Sequence, residues 1–111
     1  KAKEIQNNIE KMFGFVPEAF QAMGRTGDFL EAITKLSDSA GKGLEPKTKE
    51  LIAVVVSAVT GCAYCVDAHR ALAIKAGATD DEITAAVEVA AMMSAFNNFN
   101  KAIDLNHDIK A

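Results

Sequence analysis

The apolar positions of the chain recur at helical spacing. Ile5, Ile9 and Met12 lie on one face of a helix predicted over residues 1–13, and Gly14 ends that helix. No stretch alternates apolar and polar residues in the way of a half-buried β-strand. The pattern therefore predicts an all-α fold of about six or seven helices with short connections.

Proline and capping residues mark the starts of the next helices. Pro17 suits the first turn of a short helix over residues 18–23. Asp28 is expected to cap a helix that runs to about Ala40. Pro46 then opens a longer helix, since proline is favoured in the first helical turn.

The second half of the chain predicts three more helices. One begins near Cys62 and ends before Gly77, which suits a left-handed helix cap. Residues 79–82 have the sequence of a capping box and start a helix to about Met93. A separate final helix is predicted around the apolar residues Phe96, Phe99 and Ile103.

The run from Leu51 to Val59 is apolar nearly all round, with Ser57 as the exception. A helix of this kind is buried on every side, so it is predicted to be central. It is too short to span a bilayer, which needs about 20 residues. The surface of so short a chain would be too apolar in isolation, which predicts a homo-oligomer.

Composition narrows the functional classes. The 111 residues suit one domain over residues 1–111, and 50% of them are hydrophobic. The formal charge is −3 with acids and bases interspersed, so nucleic-acid binding is not expected. No secretory signal or membrane segment is expected either. Two cysteines three residues apart then fit a redox or metal role in a reducing compartment, the cytoplasm.

The candidate chemistry is concentrated in Cys62, Cys65 and His69. At 100° per residue these three fall within about 60° on one helix face. Cysteines at i and i+3 are close enough to form a disulfide, and Cys62 at the helix start meets free backbone N–H groups that favour a thiolate. His69 is expected to take or return the proton of Cys65. This chemistry needs neither a metal nor a cofactor.

Glu50 is a further candidate, twelve residues before Cys62. A break at Thr60–Gly61 would fold the cysteine helix back beside Glu50, which could then hydrogen-bond His69. From the residues alone, a surface salt bridge between Glu50 and Lys47 or Lys49 is an equal alternative.

Two other interpretations of the cysteine pair stay open at this point. Two cysteines, one histidine and one carboxylate could fill a tetrahedral zinc shell, although structural zinc sites usually draw on a second separated pair. The cysteines could also be two small buried core residues. Haem attachment requires a histidine directly after the second cysteine, and Val66 occupies that position.

Several motifs together resemble those of the carboxymuconolactone decarboxylase family, and more narrowly its alkylhydroperoxidase D branch. The resemblance covers about residues 44–95. It rests on a glutamate, a twelve-residue interval, a CxxC pair and, after three intervening residues, a histidine, together with the flanking sequences LEPK, KELI, GCAYCVDAH, AGAT and EI.

The resemblance implies an oligomeric helical fold, typically a trimer or hexamer, and a thiol-dependent peroxidase or disulfide reductase. In that branch Glu50, Cys62, Cys65 and His69 match the proton relay and the redox pair. The electron donor would be a dithiol, such as a lipoylated protein, or a peroxiredoxin. Lactone decarboxylases of the family lack the cysteine pair, and well-studied enzymes of the branch carry a histidine where this chain has Tyr64.

Overall fold

The computed structural model describes residues 1–110, and its regular structure there is entirely α-helical. The prediction of an all-α fold is therefore confirmed. Contacts divide the chain into two compact units, residues 1–43 and residues 44 onward, and the prediction of a single domain stays a prediction. The helices are α1 (Ala2–Phe13), α2 (Glu18–Met23), α3 (Gly27–Ser39), α4 (Pro46–Thr60), α5 (Ala63–Lys75) and α6 (Asp80–Ala102).

In the first unit, α1 and α2 contact α3. Ile9 and Leu30 are buried there. The prediction that Asp28 caps α3 was wrong, because Thr26 occupies the cap position and Asp28 lies in the first helical turn. Acidic residues are favoured in that turn by the helix dipole. A 2.8 Å hydrogen bond from Lys1 Nζ also holds the pKa of Asp28 below its usual value.

The second unit is built on α4, which contacts both α5 and α6. Its buried core comprises Val54, Ala73, Ala78 and Ile83, with Leu51 packed against it. These side chains come from α4, from α5, from the connection between α5 and α6, and from the start of α6. The unit therefore places α4 beside the cysteine-bearing helix α5.

The predicted capping box of α6 is confirmed. The backbone N–H of Thr79 donates to Glu82 Oε1 at 2.9 Å, and the N–H of Glu82 donates to Thr79 Oγ1 at 3.1 Å. Lys47 Nζ lies 2.9 Å from Glu82 Oε2. The hydrogen bond from Thr79, followed by that from Lys47, lowers the pKa of Glu82. The first turns of α4 and α6 are thereby held together.

Within the single chain, α4 is not buried on every side as its sequence predicted. Val54 is fully buried, whereas Val56 is 52% and Val59 62% exposed. Two neighbouring helices cover only part of the circumference of α4, so an apolar strip of that helix remains uncovered. Ile52 of the same helix is also half exposed, at 49%.

The predicted separate final helix was also wrong, because α6 is a single helix of 23 residues. The three asparagines at residues 97, 98 and 100 suggested a boundary, yet each costs less than about 1 kcal/mol inside a helix. No glycine or proline interrupts the segment. Residues 91–102 are all exposed, and Phe96 and Phe99 are 57% and 65% exposed. Within residues 1–110, α6 and the other helices are each too short or too polar to cross a membrane.

The break predicted at Thr60–Gly61 is confirmed, and it directs the chain from α4 into α5. Gly61 follows α4 in the left-handed conformation, with φ of 87°. The carbonyl oxygen of Ser57 accepts hydrogen bonds from the backbone N–H of Gly61 at 3.0 Å and of Cys62 at 2.9 Å. The turn therefore fixes Cys62 at the start of α5.

Replacing Gly61 by alanine is expected to destabilise the protein by about 1 kcal/mol, because a Cβ disfavours left-handed backbone. A Cβ at Gly61 would meet no atom within 4 Å, so the effect comes from the backbone alone. Gly27→Ala is the matched control, since Gly27 has no positive φ and its Cβ would meet nothing closer than 3.6 Å. Urea denaturation of the wild-type protein and the two variants measures their free energies of unfolding. A Gly61→Ala variant as stable as the wild-type protein would contradict the left-handed conformation of Gly61.

Candidate active site

Cys62 and Cys65 form a disulfide at the start of α5. Their Cα atoms are 5.2 Å apart, and both residues are partly buried. Cysteines spaced i and i+3 at a helix end thus lie close enough to be joined. The structure therefore represents the oxidised form of the pair.

Cys62 also caps α5. Its Sγ atom accepts a hydrogen bond from the backbone N–H of Cys65 at 3.1 Å. The residue itself has extended backbone, as expected at a helix cap position. Its sulfur thus lies at the positive end of the helix dipole, where a negative charge on sulfur is stabilised.

Glu50 and His69 form the second pair of the site. Glu50 Oε1 lies 2.7 Å from His69 Nδ1, so the hydrogen bond predicted between these residues is present. The Glu50 side chain is 16% exposed and that of His69 35% exposed. Because Nδ1 is engaged by the carboxylate, Nε2 is the ring nitrogen that remains for contacts with other groups.

The four predicted residues come together in one pair of helices. Glu50 lies near the start of α4, Cys62 immediately precedes α5, and Cys65 and His69 lie within α5. Cys65 and His69 are four residues apart, about 6 Å along the helix axis and on the same side of α5. Glu50 pairs with His69, and Lys47, one of its alternative partners, instead pairs with Glu82.

Sequence reasoning missed one contributor, the backbone carbonyl of Ser57. That carbonyl anchors the N–H of Cys62, and Ser57 is a buried polar residue of α4, 9% exposed. The only signal in the sequence was a serine inside an otherwise apolar run, which does not reveal a backbone contact. Tyr64, between the cysteines, is 48% exposed.

The zinc interpretation finds no geometric support in the part of the chain that is described. Residues 1–110 contain no group of three or more His, Cys, Asp or Glu side chains that could hold a metal ion. Both sulfurs are bonded to one another, whereas zinc binds thiolates. The second histidine, His107, lies exposed beyond the end of α6.

Comparison with known proteins assigns the chain to a family. The family model for carboxymuconolactone decarboxylases matches residues 27–106, well over half of the chain. The chain belongs to the carboxymuconolactone decarboxylase family. The resemblance noted from the sequence is thereby confirmed.

The curated proteins that are similar to this chain include two kinds. The chain is 36% identical over 104 residues to "Uncharacterized protein 4 in cox locus" of Paracoccus denitrificans, covering 85% of this chain and 93% of that protein. It is 35% identical over 65 residues to the alkyl hydroperoxide reductase AhpD of Coxiella burnetii, covering 59% of this chain and 37% of that enzyme. The AhpD protein of Acidobacterium capsulatum is 43% identical over 66 residues, covering 60% and 36% respectively.

The chain therefore spans almost the whole cox-locus relative but little more than a third of the AhpD relatives. No solved structure is significantly similar to it. Family membership and the AhpD-like branch are thus established, while the activity of this chain is a separate question of chemistry.

Proposed function

We propose that the protein is a thiol-dependent peroxidase that reduces hydroperoxides through the Cys62–Cys65 pair, in an antioxidant role. The observation that carries the proposal is the CxxC disulfide on the helix whose His69 is hydrogen-bonded to Glu50. Redox sulfurs and a proton carrier are the two components that thiol-based peroxide reduction requires. The similarity to proteins named alkyl hydroperoxide reductase supports the same activity.

In the proposed reaction, the thiolate of Cys65 attacks an oxygen of the hydroperoxide. The O–O bond breaks, Cys65 becomes a sulfenic acid, and the departing alkoxide takes a proton from His69 to leave as an alcohol. The thiolate of Cys62 then attacks the sulfur of Cys65, and water is released after protonation of the departing hydroxide. The product is the disulfide seen in the structure.

Glu50 has a supporting role in this scheme. Its carboxylate accepts the hydrogen bond of Nδ1–H and so leaves Nε2 as the proton-exchanging atom of His69. The same carboxylate stabilises the imidazolium form that exists before each proton is delivered. Glu50 is therefore proposed as a positioning residue and His69 as the proton carrier.

Tyr64 is expected to limit the activity relative to enzymes with a histidine at that position. A tyrosine hydroxyl ordinarily titrates near ~10 and is a poor base at neutral pH. Tyr64 is also half exposed, at 48%. We therefore expect the protein to reduce hydroperoxides more slowly than enzymes with a histidine at this position, or to use a different electron donor.

The activity itself is tested by following oxidation of dihydrolipoamide, a dithiol, with and without an organic hydroperoxide. Consumption that depends on both peroxide and protein supports the proposal. A metal analysis of protein purified without chelator accompanies the assay. Stoichiometric zinc together with unreactive thiols would contradict the proposal. A lactone decarboxylase activity that survives the loss of both cysteines would contradict it as well.

The physiological donor is proposed to be a dithiol, carried by a lipoylated protein, or a peroxiredoxin. Such donors act where thiols are kept reduced, which is consistent with a cytoplasmic protein. The reaction as written uses no cofactor or metal, and no step needs nucleic acid or a membrane.

We also propose that the protein is a homo-oligomer, a trimer or a hexamer. The support is the exposed apolar surface of α4 and α6, which includes Val56, Val59, Phe96 and Phe99 at 52–65% exposure. Soluble monomers rarely leave contiguous apolar patches of more than a few hundred Å² uncovered. Analytical ultracentrifugation at micromolar concentration should show an assembly of at least three chains, and a monomer there would contradict the proposal.

A further inference from the structure

Helix α6 carries apolar side chains on two different faces. On one face, Ile83 and Ala90 are buried, and Ile83 belongs to the core of the second unit. At 100° per residue, a second set of apolar residues lies about 150° further round the helix and is exposed. This set, called the α6 strip below, comprises Val89, Met92, Phe96 and Phe99.

The spacing of the α6 strip fits packing against another helix. Its members are three, four and three residues apart. This repeat keeps one side of a helix turned towards a partner helix over successive turns. It is the spacing found where two helices cross at a shallow angle, about 20°.

The absence of charge also separates the α6 strip from an ordinary solvent-facing surface. No charged side chain occurs between Glu88 and Lys101, although residues 91–102 are all exposed. The outward face of a helix in water usually carries charged and polar residues. The outer face of α6 therefore has the character of a contact surface.

We propose that the α6 strip packs antiparallel against the same strip of a second copy of this chain, about a two-fold axis. The inference rests on the homo-oligomer proposed above and names the surface that forms one of its contacts. A cyclic trimer contains no two-fold axis, whereas a hexamer made of two trimers does. The contact therefore selects the hexamer from the two assemblies.

The α6 strip is complementary to itself in the antiparallel orientation. In a contact about a two-fold axis, a residue that meets a second residue of the other copy is met in turn by that same pair reversed. The register that sets Phe99 against Val89 of the second copy also sets Phe96 against Met92 of that copy. Each layer then combines one aromatic ring with a smaller or more flexible side chain, as close packing requires.

Charge favours the same arrangement. Two copies present identical charges to each other, and like charges that face one another oppose association. The α6 strip carries no charge, so this repulsion does not arise along it. The antiparallel register also brings Glu88 of one copy level with Asn100 and Lys101 of the other, where opposite charges are close. A parallel pair would instead place the two Glu88 carboxylates at the same level.

The exposed area is sufficient for a specific contact. The four side chains of the α6 strip are 47–65% exposed and offer roughly 400 Å² on one copy. With the flanking Met93, which is 44% exposed, two copies would bury about 1,000 Å², the size at which specific interfaces begin. A hexamer repeats this contact between its two halves, which strengthens the whole assembly.

Cross-linking through Ala95 tests the orientation. Ala95 is exposed, flanks the α6 strip and lies beside the proposed two-fold axis, so the two copies of this residue should be close together. Ala95→Cys is made in a chain whose Cys62 and Cys65 are serine, which leaves one thiol. Treatment with bismaleimidoethane, a short thiol cross-linker, should double the mass of the chain on a denaturing gel.

Two matched variants in the same serine background control for random collision and for a parallel pair. Ser94→Cys places the thiol on the opposite side of α6, and it should not cross-link. Val89→Cys should not cross-link either, because its two copies would be about 15 Å apart along the antiparallel helices. Cross-linking of Val89→Cys in place of Ala95→Cys would show a parallel pair and overturn the proposal, and so would equal cross-linking of Ser94→Cys and Ala95→Cys.

Sedimentation of the chain with its natural cysteines provides a second measurement that does not depend on the serine background. The wild-type protein should be a hexamer, and Phe99→Glu should halve its mass because a charge is buried in the strip. Asn98→Glu, the matched control, lies outside the strip and should leave the mass unchanged. A Phe99→Glu variant that remains a hexamer would overturn the proposal.

The same measurement separates this inference from the homo-oligomer on which it rests. A wild-type trimer would overturn the α6 contact and leave the homo-oligomer in place. A wild-type dimer that cross-links through Ala95→Cys would support the α6 contact and contradict the larger assembly. A wild-type monomer would contradict both.

Discussion

Replacing either cysteine by serine is expected to lower peroxide-dependent dithiol oxidation by about 10³-fold or more, because a hydroxyl cannot replace the attacking or resolving sulfur. Cys65→Ser removes the sulfur proposed to attack the peroxide. Cys62→Ser removes the sulfur that closes the disulfide seen in the structure. Steady-state oxidation of dihydrolipoamide by an organic hydroperoxide measures both effects.

Ala63→Ser is the matched control for the cysteine variants. Ala63 is exposed in the first turn of α5, between the two cysteines, so the substitution adds a hydroxyl there without removing a sulfur. Its activity should equal that of the wild-type protein, and circular dichroism should show the same helix content in all three variants. Full turnover by either Cys62→Ser or Cys65→Ser would end the peroxidase proposal.

His69→Gln is expected to lower turnover at neutral pH by about 10²- to 10⁴-fold, the usual contribution of a general acid or base. Glutamine retains an amide that can hydrogen-bond Glu50, but it cannot carry a proton. Glu50→Gln should have a smaller effect, roughly 10- to 100-fold, as for other residues that orient a reacting side chain. The same assay measures both variants, and a pH–rate profile separates lost proton transfer from misfolding.

His107→Gln is the matched control for His69→Gln. His107 is the second histidine of the chain and lies exposed after α6. Its replacement should leave the rate and the pH profile unchanged. If His69→Gln retained the wild-type rate across the pH profile, the hydrogen bond between Glu50 and His69 would have a structural role only.

Local features that depend on the type and spacing of a few neighbouring residues were predictable from the sequence. Gly61 marked the break between α4 and α5, and the spacing of the cysteines marked the pair that is joined in the structure. Each of these depends on backbone geometry over one or two helical turns, which sequence spacing specifies directly.

Features that depend on which surfaces meet were not predictable in the same way. The apolar residues of α4 indicated burial on all sides, yet Val59 is 62% exposed, because burial depends on how many neighbours a helix has. Asparagines near residue 98 suggested a helix boundary, although α6 runs through them. Their helix propensity is a weak preference that continuity of a long helix overrides.

The partner of Glu50 within the site also depends on which surfaces meet. From the residues, a salt bridge to Lys47 was as plausible as a contact with His69. The structure pairs Lys47 with Glu82 and Glu50 with His69. The choice between partners was set by the packing of α4 against two other helices, which no local pattern in the sequence encodes.

In the proposed mechanism, a hydroperoxide oxidises Cys62 and Cys65 to the disulfide. Mass spectrometry of the fully reduced protein, before and after one equivalent of hydroperoxide, tests it most directly. We predict the loss of two hydrogens, about 2 Da, mapped to the peptide that joins Cys62 to Cys65. Two unmodified thiols after exposure to peroxide would contradict the account.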